Sequence, residues 1–126
     1  MPVNFSVIQR IKPGDASAPR KYYAIAKTRG ETELRELAND VAEISTVSTI
    51  DTLAVLEGLL TVLPKKLLNG EIVRLGEFGD FRLNISSEGV ETEGDFSTNN
   101  IKGVKLNFRP GKLIKTALKT VEYKKV

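Results

Sequence analysis

The sequence predicts an α+β fold, and three features carry that prediction. Two alternating stretches lie near the N-terminus, a long central segment repeats its apolar residues at helical spacing, and a second set of alternating stretches precedes a short amphipathic close. With 126 residues, 40% of them hydrophobic, the chain has the size and composition of one ordinary globular domain.

Residues 3–11 put Val3, Phe5, Val7, Gln9 and Ile11 on one face and Asn4, Ser6, Ile8 and Arg10 on the other, the pattern of a half-buried strand. A loop rich in Pro, Gly, Ala and Ser follows, and KYYAIAKT reads as a second strand ending before Arg29 and Gly30. Residues 1–30 are therefore read as an N-terminal β-hairpin. A lone hairpin is marginal in water, so its apolar face must pack on a later part of the chain or on another chain.

From Thr32 the period changes. Leu34, Leu37, Ala38, Val41 and Ile44 follow helical spacing, with Thr32 as N-cap and Glu33 and Glu36 at the electropositive end. STVSTID interrupts this helix and starts another, with Ser48 and Asp51 spaced as a variant capping box. The second helix is expected from about Thr49 to Leu68, kinked at Pro64 and closed by Asn69 and Gly70. Its apolar residues cover more than one stripe, and a helix apolar on most sides must be buried on most sides, which points to a partner subunit.

EIVRLGEFG and DFRLNIS read as adjacent antiparallel strands joined by a tight glycine turn, with Phe78, Phe81 and Phe108 expected in the core. SEGVETEGDFSTNN is a polar, acidic excursion and VKLNF resumes strand character. Pro110 takes the first position of a final helix. Leu113, Ile114, Ala117 and Leu118 line one side of that helix, and Lys112, Lys115 and Lys119 the other.

The chain has no His and no Cys, which leaves zinc fingers, thiol nucleophiles, imidazole bases and disulfide frameworks without their usual groups. An enzyme would need a carboxylate pair or a lysine nucleophile, and no pocket-forming motif presents one, so the chain is expected to be non-enzymatic. The acids of residues 86–100 do not follow the spacing of a Ca²⁺ loop, and no cofactor or metal is expected. No stretch has the apolar length of a signal peptide core or a membrane span, and a cytoplasmic location is expected.

The net charge of +3 conceals a strong asymmetry. Residues 1–30 carry net +5, 31–70 net −4, 71–100 net −5 and 101–126 net +7. Two basic ends flank an acidic middle.

From residue 31 the order helix, helix, strand, strand, excursion, strand, basic helix resembles the bacterial HU/IHF family of histone-like DNA-binding proteins. Two pieces carry the resemblance: NGEIVRLGEFGDFRLN and NFRPGKLIKTALK. Phe78, Gly79 and Phe81 match the first motif, with Glu77 in place of its leading glycine; Phe108, Arg109, Gly111, Lys112, Lys115, Ala117 and Lys119 follow the second. The leading hairpin is similar to extensions in a histone-like subgroup whose HU domain is fused to extra elements.

The resemblance implies an HU/IHF-like fold: a two-helix hairpin, an antiparallel three-stranded sheet with an arm, and a short C-terminal helix, spanning residues 31–126. It also implies an intertwined homodimer that binds double-stranded DNA with little sequence preference in the nucleoid. The DNA-contacting residues it implies are Lys102, Lys105, Arg109, Lys112, Lys115 and Lys119, which would neutralise phosphates and release counterions. Asn84 falls where many members carry arginine. The excursion holds Glu88, Glu91, Glu93 and Asp95, no Lys or Arg, and no Pro to wedge between bases, so a modest bend is expected. The alternative is an HU scaffold with weak or no DNA binding that recruits a protein partner through its N-terminal hairpin.

Overall fold

The structure, a computed structural model, describes every residue except Lys12, Pro13 and Ala16, so part of the expected first loop lies outside the described residues. The chain divides into two compact units, Met1–Glu33 with Ala117–Val126, and Leu34–Thr116.

In the first unit β1 (Val3–Arg10) pairs antiparallel with β2 (Lys21–Lys27), as the alternation predicts. A strand that the sequence did not announce, β6 (Tyr123–Lys125), joins the other edge of β1 in parallel, giving a mixed sheet of order β2-β1-β6. The Val3 amide donates to the Glu122 carbonyl at 2.7 Å and the Val126 amide to the Phe5 carbonyl at 2.9 Å. The hairpin thus shares its sheet with the other end of the chain.

The second unit opens with α1 (Leu34–Glu43). It starts two residues beyond Thr32, which is therefore not its N-cap, and ends before Ile44, whose amide reaches back three residues to Val41 at 3.2 Å. Helix α2 (Thr49–Leu68) has the expected bounds. The Ser48 hydroxyl accepts from the Asp51 amide at 3.1 Å, so the serine half of the capping box is formed. Pro64 lies inside the helix. At the C-terminus the Gly70 amide donates to Leu67 at 2.9 Å and the Glu71 amide to Lys66 at 3.3 Å, a Schellman closure that requires the left-handed φ of +83° at Gly70.

The second sheet has order β3-β4-β5, all antiparallel. Strand β3 shrinks to Val73–Arg74, because Leu75 and Phe78 turn the chain within four residues into β4 (Gly79–Ser87). Strand β5 runs Ile101–Pro110, longer than VKLNF, and Pro110 ends this strand opposite Gly79 where it was expected to start the helix. A strand end needs no donor there, so proline is tolerated. Helix α3 (Lys112–Leu118) follows.

The strand-to-helix junction depends on two glycines. A Cβ at Gly111 would collide with the backbone of Glu77, and one at Gly79 would sit 2.5 Å from the Arg109 carbonyl oxygen and from the Phe108 ring. Two bonds close the junction, from the Gly111 amide to Phe78 (2.9 Å) and from the Leu113 amide to Glu77 (3.0 Å). The glycine turn of the first motif and the glycine of the second are one packed corner.

Among the described residues only Ala38 and Leu67 are buried apolar residues, together with Thr52. Phe81 stacks on Phe108 at 4.8 Å and Phe78 approaches it at 5.5 Å, yet Phe78 and Phe108 stay 42% and 40% exposed, so within one chain this cluster is open on one side and not a closed core. Ile50, Val55 and Leu68 on α2 are 79%, 69% and 79% exposed. No helix among the described residues is long and apolar enough to cross a membrane.

Replacing Gly111 by Ala should cost more than about 1 kcal/mol, because neither contacting backbone can yield cheaply. Ser48→Ala should cost about 1 kcal/mol through loss of one cap. Urea unfolding of both variants against the parent checks the order.

Candidate nucleic-acid interface

Strand alternation divides the β3-β4-β5 sheet into two chemically different faces. Phe81 faces Phe108, Leu83 faces Leu106 and Ile85 faces Val104, which makes one face apolar. On the other face Asp80 lies opposite Arg109, Arg82 opposite Asn107 and Asn84 opposite Lys105, with Arg74 of β3 beside Asp80. Arg74 and Asp80 form an ion pair of 2.8 Å, which occupies the one carboxylate on this face. Arg82, Lys105 and Arg109 have no ion-pair partner among the described residues, and Arg82, Asn84, Asn107 and Arg109 line an open cleft.

The structure therefore brings Lys105 and Arg109 together and adds Arg82, which the sequence motifs do not single out. A signal exists in the repeat Asp80, Arg82, Asn84, but its meaning requires the register with β5. Asn84 stands next to Arg82 along β4 and opposite Lys105, so the position carries an amide donor and not a charge.

Lys102 is placed differently. A register irregularity follows Ser86, which pairs with Gly103 while Ser87 pairs with Ile101, so Lys102 is the extra residue of a bulge. Its Nζ lies 3.3 Å from Glu88 Oε2. Lys112 and Lys115 lie on α3 and are exposed, whereas Lys119 falls in the turn after the helix and belongs to the first unit.

The excursion between β4 and β5 is a folded loop rather than a pair of extended strands, with 3-10 turns at Glu93–Asp95 and Thr98–Asn100. Its base is tied by the Glu88 amide to Asn100 (2.9 Å) and by Asn100 Nδ2 to Glu88 Oε1 (2.9 Å). Glu88 is thus a structural residue of the loop, while Glu91, Glu93 and Asp95 are exposed and form no ion pair among the described residues. No group of three or more His, Cys, Asp or Glu among the described residues is placed to hold a metal ion.

Curated protein sequences gave no match. Among solved structures, the chain is similar to a Bacteroides vulgatus protein provisionally described as a bacterial DNA-binding protein, with a TM-score of 0.67 at 12% identity over 98% of this chain. The match covers 48% of that protein, so the chain spans about half its length. The chain is also similar to Anabaena HU, solved in complex with DNA, with a TM-score of 0.56 at 23% identity over 71% of this chain and 99% of HU. These likenesses establish an HU-like α+β fold. The model of HU domains fused to a winged helix-turn-helix, immunoglobulin or glycine-rich motif matches residues 1–125, and the chain belongs to that HU family.

Proposed function

We propose that this chain binds double-stranded DNA with little sequence preference, as a homodimer, and acts as an architectural protein of the nucleoid. The observation that carries this reading is the polar face of the β3-β4-β5 sheet, where Arg82 stands opposite Asn107, Lys105 opposite Asn84 and Arg109 opposite Asp80, the single carboxylate, which Arg74 already pairs. Such a row suits the phosphate backbone, whose neutralisation releases counterions whatever the base sequence. Lys112, Lys115 and Lys119 extend the positive charge along and just beyond α3. In this reading residues 31–126 are the DNA-binding domain and residues 1–30 an extension, although the extension takes its third strand from residues 123–125. The homodimer is supported by the uncovered apolar side chains of α2 and of the sheet, which a second copy would cover.

The acidic excursion favours the second reading, an HU scaffold with weak DNA binding. Lys102 is held by Glu88, and insertion of the loop into a groove would bring Glu91, Glu93 and Asp95 against phosphates. The two readings differ in what the sheet contributes.

Changing Arg82, Lys105 and Arg109 together to Gln should weaken duplex binding about equally for unrelated sequences and flatten the plot of log K against log salt by about 0.9 for each phosphate no longer neutralised. Parent-like affinity and slope would favour the scaffold reading. Changing Glu91, Glu93 and Asp95 together to Gln or Asn should raise duplex affinity at low salt and leave the fold intact, because none of the three ties the loop. Gel-shift titration at two salt concentrations, with circular dichroism of the variant, checks this.

A further inference from the structure

We propose that the N-terminal mixed sheet carries a second nucleic-acid surface, recognising the phosphodiester backbone through Arg10, Lys21, Lys27 and Lys124 around Tyr23. This surface shares no residue with the β3-β4-β5 face. The registers place these residues on one face. Arg10 lies directly opposite Lys21 and Ile8 opposite Tyr23, and Asn4 is flanked by Lys27 on one side and Lys124 on the other. The opposite face carries Val3, Phe5, Val7, Ala24, Ala26 and Tyr123, with Gln9 paired to Tyr22 at one end and Lys125 as its single cation.

The four cations are exposed and Tyr23 is 45% exposed, above a floor of half-buried Asn4, Ser6, Ile8 and Ile25. No carboxylate occupies a paired position of this face and none pairs with these cations among the described residues; Glu122, two residues before Lys124, lies just outside β6. Asp15, the one carboxylate of the hairpin loop, is engaged by Ser17 instead, through its hydroxyl at 2.7 Å and its amide at 3.1 Å.

Like charges directly opposite across a strand pair destabilise a sheet. Arg10 against Lys21 is therefore costly for the free protein and favourable once an anion sits over the pair, and Lys27 and Lys124, on either side of the uncharged Asn4, add two further cations to the same face. A phosphodiester backbone supplies anions at a regular spacing. Arg10, Lys21 and Tyr23 also line one cleft, with Ala18 and Pro19, so a ring suited to stacking sits beside two phosphate-binding cations. An acidic polypeptide would use the cations but leave the ring without a role.

The test uses the full chain with Arg10, Lys21, Lys27 and Lys124 changed to Gln. It compares a short duplex, an oligothymidine strand and poly-glutamate as ligands, beside the Arg82, Lys105 and Arg109 variant. The sheet variant should lose affinity and salt slope, by about 0.9 for each neutralised phosphate on duplex and about 0.7 on the single strand. Loss on both nucleic acids assigns backbone recognition alone; loss confined to the single strand assigns stacking on Tyr23 as well. The variant should melt no lower than the parent, because the opposed charges are gone. In the parent, bound nucleic acid should slow acetylation of Lys21, Lys27 and Lys124, a readout that needs no variant. Parent-like binding by the sheet variant, or acetylation unaffected by bound nucleic acid, would overturn the second surface. Should the Arg82, Lys105 and Arg109 variant then have lost duplex binding, the function proposed above would stand. Equal, four-residue-dependent binding of poly-glutamate would also overturn it, by making the face a site for acidic protein.

Discussion

Helix α2 carries leucine, isoleucine and valine around most of its circumference, and the sheet beside it turns Phe81, Leu83, Ile85, Val104, Leu106 and Phe108 to one side. Within a single chain almost none of this is enclosed, since among the described residues Ala38 and Leu67 are the only buried apolar ones. Apolar area removed from water is the main favourable term in folding, and here most of it remains to be removed. The rest of the proposed account depends on that open surface. A second copy supplies matching surface by symmetry, and an isologous interface would set two polar sheet faces in a fixed relation.

The same alternation that makes one face apolar makes the other cationic. Arg82, Lys105 and Arg109 are delivered to one side because β4 and β5 stay in register from Gly79 to Ser86, and that register is anchored at the corner where Gly79 and Gly111 let two backbones meet. The corner couples fold to charge. A side chain at either glycine would push apart the strands that align the cations, so the two glycine-bearing motifs support the site without touching a ligand.

Elements defined by local chemistry are legible in the sequence. The bounds of α2 follow from Ser48 at one end and Asn69 and Gly70 at the other, where caps act within a few residues. What stays hidden depends on distant partners. Strand β6 is Tyr-Lys-Lys, with no alternating apolar face, and it forms only because β1, at the other end of the chain, offers a free edge. Arg82 does not stand out in the sequence because its neighbours on the face come from β5. Lys102 and Lys105 read as cations of one strand, yet the bulge after Ser86 removes Lys102 from the ladder and Glu88 takes its charge. The HU-like fold is visible in the order of elements and in two short motifs; the selection of cations on each face requires the registers.

The most direct test of the central claim is the number of chains bound to one short duplex, measured by sedimentation equilibrium at low and moderate salt. The account predicts two chains per duplex at low salt, and an intact protein dimer released from DNA as salt rises. One chain per duplex, or a folded monomer released at micromolar protein, would contradict it.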